Sequence, residues 1–178
     1  MLGERLAMPR PLETEYAPFY AGYVALVPEA DILAVLEGQL DEVRRVAGAF
    51  SPGRENLRYA EGKWSVREVL GHLVDGERVF GYRAFCFSRG ETAALPSFDE
   101  NQYVAAAASD GIPLEELVEE LALVRHSNLA FLRRLGAAEW TRVGTASGKP
   151  VSVRALAWVM AGHPRHHLKI LQERYAVS

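Results

Sequence analysis

Three of the five histidines in this chain fall in the string "GHPRHHL", at positions 163, 166 and 167. Apolar residues Val153, Leu156, Ala157, Met160 and Leu171 recur at helical spacing around them, so one helix face runs straight through this string. At roughly 100° per residue His163 and His167 lie on that face and His166 about 100° away from it. Imidazoles four residues apart on one face are neighbours, and this spacing lets two of them share a single cation. Two polar rings in an apolar stripe need partners, which either hydrogen bonds or a shared metal ion would supply.

A metal site needs at least one more ligand. The remaining histidines are His72 and His126. His72 sits on the flank of the stripe Val66, Val69, Leu70, Leu73 and Phe80, whereas His126 follows Arg125 in a more polar stretch that reads as surface. Periodicity leaves the choice between them open. Asp75, one turn beyond His72, and Glu77, on the apolar side of the same helix, could orient a ligand or accept a proton, or could simply be solvated charges. Pro164 stands directly behind His163. A proline inside a helix removes the hydrogen bond to the carbonyl four residues back and costs about 3 kcal/mol unless compensated. The spacing therefore predicts a kink or break at 163–164, with the turn from 163 to 167 helical only if the helix restarts there.

Four segments have the length and period of helices. The first covers about 29–49 and ends before Ser51-Pro52-Gly53. The second opens at Ser65, where Glu68 three residues on completes a capping box, and runs to about Ser88. The third starts with Pro113 in its first turn and stops at Gly136; the fourth is capped by Ser152 and runs nearly to the end of the sequence. Between the third and fourth, "WTRVGTASGKPVSV" predicts a short hairpin or ordered loop. The connection "ETAALPSFDENQYVAAAASDG" is long enough to wall a site and contains a helical turn over about 102–107. Residues 1–28 include Tyr16, Phe19, Tyr20 and Tyr23, too aromatic for a disordered tail, and read as an ordered arm packed on the helices. The expected fold is all-α, a four-helix bundle with long connections, in one domain over residues 1–178.

Composition narrows the function classes. Twenty Lys and Arg against 23 Asp and Glu give a formal charge of −3, with basic residues scattered singly or in pairs, which argues against nucleic acid as a partner. No apolar run approaches the roughly 20 residues of a membrane span, and the start of the chain lacks the apolar region of a secretory signal. A soluble, cytoplasmic protein is expected. The single cysteine, Cys86, has no intramolecular disulfide partner and reads as a buried inert thiol.

The strings "EGKWSVREVLGHLVDGERVFGYR", "LPSFDENQYV" and "GTASGKPVSVRALAWVMAGHPRHHLKILQERY", with "EYAPFYAGYV" before them, resemble the DinB-like family of metalloenzymes in order and spacing along nearly the whole chain. That resemblance implies a bundle with a three-histidine metal site at one end: His72 from the "GHL" motif, and His163 and His167 from the His-x-x-x-His turn. It implies a divalent ion, which imidazole ligands alone do not resolve among zinc, nickel, iron and manganese. It further implies a small-molecule substrate, handled by metal-dependent hydrolysis or by transfer of a low-molecular-weight thiol, and a homodimer. Proline after the first histidine of the turn departs from the family pattern and puts the orientation of His163 in question. The alternative is a non-catalytic, stress-associated bundle that binds a metal or small ligand and acts as a dimeric interaction module.

Overall fold

The computed structural model describes residues 8–50 and 52–175. Residues 1–7 of the expected arm and Ser51 of the first break lie outside them. Four long helices form the body: α2 (Ile32–Gly48), α3 (Val66–Ser88), α5 (Leu114–Leu132) and α7 (Val153–Ile170). Of three short ones, α1 (Ala21–Ala25) precedes them, while α4 (Glu100–Ala107) and α6 (Ala137–Trp140) lie in the connections after α3 and α5. α3 packs against α5 and α7, and α2 closes the ring by packing against the same two. The result is the expected all-α four-helix bundle.

Side-chain chemistry sets where each long helix starts. Asp31 accepts from the Ala34 N–H at 3.0 Å, so α2 begins at Ile32, three residues after the expected start at 29. The Ser65 box forms as expected: Ser65 Oγ accepts from Glu68 N–H at 3.1 Å and Glu68 Oε2 from Ser65 N–H at 2.6 Å. Ser152 Oγ accepts from Ala155 N–H at 3.0 Å and starts α7. Pro113 is the cap of α5, not a member of its first turn. Beyond α7 the chain continues as a wider π turn over Leu171–Tyr175.

The segment before α7 is an antiparallel hairpin, β1 (Val143–Ala146) and β2 (Lys149–Ser152), with Val143 opposite Ser152 and Ala146 opposite Lys149. Its two-residue turn, Ser147-Gly148, has φ of 53° and 70°, the left-handed pair that matches strand twist. The long connection after α3 docks on this hairpin through Leu95, whose N–H donates to Thr145 O at 2.8 Å. Buried Arg83 fixes the junction by donating to Pro96 O at 2.7 Å and Ser147 Oγ at 3.1 Å.

The described part of the arm is tied to the bundle at both ends. Arg154 and Ser152 hold Glu15, and Arg165 donates to Glu29 and to Leu26 O at 2.8 Å. Tyr20, Val24 and Val27 enter the same apolar core as Trp158 and Leu156. Among the described residues no helix is long and apolar enough to cross a membrane.

Candidate metal centre

The ring packing of α3 against α7 brings His72 against His163 and His167. Their three ring centroids are mutually 4.7 Å apart, and one ring nitrogen of each lies within 4.8 Å of the other two. His72 Nε2 and His163 Nε2 approach to 2.8 Å. His72 and His163 are buried; His167 is half-buried. Desolvation pushes the His72 imidazole down to about 4 and the His167 imidazole to about 3, and holds His163 well below its ordinary value. All three rings are therefore neutral near pH ~7, and neutral imidazole is the form that ligates a metal.

Such a cluster is poorly satisfied by its own atoms. Neutral imidazole carries one donor and one acceptor, and the 2.8 Å contact joins only two of the three rings. His72 Nδ1 is buried with no hydrogen-bond partner in the structure. Convergent, desolvated, neutral nitrogen donors are the set that suits a borderline divalent cation. The residues present fit such an ion.

Pro164 does not break the helix. α7 is continuous from Val153 to Ile170 with the proline inside it, and His163 and His167 stay on one face. The reason lies in a neighbouring helix. Pro164 has no N–H to give the Met160 carbonyl; Arg125 Nη2 from α5 donates to that carbonyl instead, at 3.1 Å. Gln39 from α2 donates to the next one, Ala161 O, at 2.7 Å. Arg125 is held in place by a bidentate pair with Glu77, both contacts 2.8 Å, and by Leu36 O at 2.9 Å; Asn128 also donates to Glu77 at 2.8 Å. The compensation for the proline thus comes from all three other long helices.

This network corrects the expectation for Glu77, which is 2% exposed and consumed by Arg125; it is neither a solvated charge nor a free proton acceptor. Arg125, the neighbour of His126 in that polar stretch, is 1% exposed. His126 is exposed and takes no part in the cluster, and His166 is exposed on the flank of α7. Asp75 is half-buried, and burial raises its carboxyl above the ordinary range. Cys86 is half-buried against the core, not fully enclosed as expected.

Four residues around the triad escaped the sequence reading. Trp64 lies against His72 at 4.7 Å and stacks over His167 at 6.2 Å. From the arm, Tyr23 meets His163 and His166 edge-on, each at 5.5 Å. Two glycines make room. A Cβ at Gly76 would lie 2.6 Å from His163 Cε1, and one at Gly162 would lie 2.0 Å from the Tyr23 carbonyl oxygen. Gly76 follows His72 at i+4 and Gly162 precedes His163, so a helical glycine beside two of the three candidate ligands is the signal that could have found them.

One cleft, of about 240 Å³, reaches the triad, at His167. A larger groove of about 720 Å³, lined by residues of α2 and α5 such as Arg44 and Val118, contains none of the histidines.

Fold and site together define a helical bundle that gathers a histidine triad between two of its long helices. The chain belongs to the DinB superfamily, whose family model matches residues 36–171. A Geobacillus kaustophilus protein named "Putative metal-dependent hydrolase GK0616" is 25% identical over 163 residues, covering 88% of each chain. YfiT from Bacillus subtilis, described as "a probable metal-dependent hydrolase with an unusual four-helix bundle topology", superposes with a TM-score of 0.75 at 20% identity, over 89% of this chain and 91% of its own. A mycothiol-dependent maleylpyruvate isomerase superposes with a TM-score of 0.65 at 13% identity, over 82% of this chain and 61% of its own. At these identities the two superpositions establish the fold.

Proposed function

We propose that His72, His163 and His167 bind one divalent metal ion and that the protein is a metal-dependent hydrolase of a small molecule. The observation that carries this reading is the convergence of three neutral, desolvated imidazoles with no carboxylate and no competing cation among them. The name of the Geobacillus relative supports the same reading. A divalent ion held by His72, His163 and His167 would supply Lewis acidity and lower the pKa of a bound nucleophile towards ~7.

The chain's own residues prepare that position. Trp64 covers His72 and His167 from one side and Tyr23 covers His163 from another, limiting water around the imidazoles. Glu77, the nearest buried carboxylate along α3, is held away by Arg125. His167, at the cleft, faces the incoming substrate. A second reading, transfer of a low-molecular-weight thiol to an electrophile, is supported by the shared fold with a mycothiol-dependent enzyme. The lone cysteine does not line the cleft, so the attacking thiol would come from a cosubstrate.

Metal analysis of the purified protein beside His72→Ala and His167→Ala tests the common ground. About one ion per chain in the wild type, lost in both variants, is the expected result; equal trace metal in all three refutes it. Metal-loaded protein is then offered ester and amide substrates, and separately a bacterial thiol with a generic electrophile. Turnover of the first set alone supports hydrolysis and turnover of the second alone supports transfer. No turnover of either, with metal bound, favours the non-catalytic module.

A further inference from the structure

The cleft at His167 is lined by Tyr59, Lys63, Trp64, Asn101 and Tyr175 among others, and by no carboxylate. Three carboxylates of the surrounding elements, Glu68, Asp99 and Glu77, are already engaged. Glu68 forms a bidentate pair with Arg58, whose guanidinium also donates to the Lys63 carbonyl at 2.7 Å. Asp99 caps α4 through the Asn101 and Gln102 N–H groups, both at 3.0 Å. Glu77 is consumed by Arg125, and Glu100, beside Asn101, is exposed and does not line the cleft.

Three neutral imidazoles leave the charge of a divalent ion uncompensated. Lys63 adds a further positive charge at the cleft, and Asn101 adds an amide that can donate. An uncompensated dication in a half-enclosed, low-dielectric site favours an anion at its open position. The walls are flat and aromatic: Trp64 stacks over His167, and Tyr59 meets Tyr175 edge-on at 5.0 Å while the Tyr175 hydroxyl, donating to Trp64 O at 2.7 Å, holds the two walls together. Flat apolar groups gain from offset or edge-on packing against such rings. A volume of about 240 Å³ admits a molecule of one or two rings.

We infer that this cleft is the substrate site and selects small ring-bearing anions, with the ring between Trp64 and Tyr59 and the anionic group between Lys63 and the metal position. The inference rests on the metal reading above, and its test separates the two. Metal content is measured first on the preparation used. Benzoate, benzyl alcohol, benzylammonium and acetate are then titrated calorimetrically into the metal-loaded protein and into Lys63→Gln, an exposed substitution outside the triad.

Benzoate should bind about tenfold or more tightly than benzyl alcohol or acetate, with benzylammonium weakest. Lys63→Gln should weaken benzoate about three- to fivefold, the worth of one exposed charge, and leave benzyl alcohol within about twofold. With metal bound, equal affinity for benzoate and benzyl alcohol, acetate as tight as benzoate, or no effect of Lys63→Gln overturns the inference and leaves the metal reading standing. No metal in the preparation overturns both.

Discussion

If Arg125 supplies the hydrogen bond that Pro164 withholds, substitutions at the two positions must be non-additive. The perturbation is a cycle of Arg125→Lys, Pro164→Ala and the double variant. Lysine keeps a positive charge for buried Glu77 but cannot also span the fork to Met160 O, which Arg125 Nη2 reaches at 3.1 Å. In the proline background that carbonyl is left buried without a donor, a loss of about 1–3 kcal/mol added to the weaker pairing with Glu77. In the alanine background residue 164 has an N–H, and the carbonyl takes its ordinary helical partner. Arg125→Lys should therefore cost about 1–2 kcal/mol less beside Pro164→Ala than alone.

Pro164→Ala by itself should stabilise by about 1–2 kcal/mol, because the roughly 3 kcal/mol helix penalty is only partly offset and some unfolded-state entropy is returned. Urea unfolding of metal-free protein, followed by circular dichroism, measures all four corners at one temperature. Costs that add to within about 0.5 kcal/mol would refute the account. The same variant separates stability from the site: His163 and His167 already share a face, so Pro164→Ala should leave metal affinity within about twofold.

Two further predictions follow from the triad. Each histidine is lowered by burial relative to its ordinary 6.5, so below that pH the unfolded chain takes up protons that the native cluster refuses, and stability falls as pH falls. The stability of metal-free protein should therefore fall as pH is lowered from about 6 towards 4, by roughly 1.4 kcal/mol per pH unit for each ring that stays neutral; a flat urea midpoint across that window would contradict the burial of neutral rings. Gly76→Ala should push the His163 ring aside and weaken metal binding about 10–100-fold. Gly38→Ala, where a Cβ meets nothing within 4 Å, should leave binding unchanged and add up to about 1 kcal/mol of stability. Equal metal affinity in the two glycine variants would remove the steric argument.

The bundle was legible because its signals are local. Periodicity, the Ser65 box and the Ser152 cap each act within a few residues, and α3 and α7 start where the two serines place them. The i, i+4 pair was likewise visible from one helix. What the chain does not show locally is which distant group meets another. Nothing local to α5 marks Arg125 or Asn128 as buried, yet both meet Glu77, 48 and 51 positions away. Pro164 looks like a breaker because its compensation lies on other helices. Tyr23 reaches the triad only because Gly162 lets one backbone approach another, and no pattern within the arm records that contact.

His72 and His163 are 91 residues apart along the chain, and this distance bears on the order of events during folding. α3 and α7 must pair across three intervening helices and the hairpin, a non-local closure that comes late because its entropy is lost before contacts repay it. Only then does the third imidazole join the His163–His167 pair. Before that, a nascent or collapsed chain offers an ion two adjacent rings in solvent; afterwards it offers three in a desolvated pocket. Metal capture would thus act as a proofreading step on topology, rewarding only chains in which α7 has docked in register against α3.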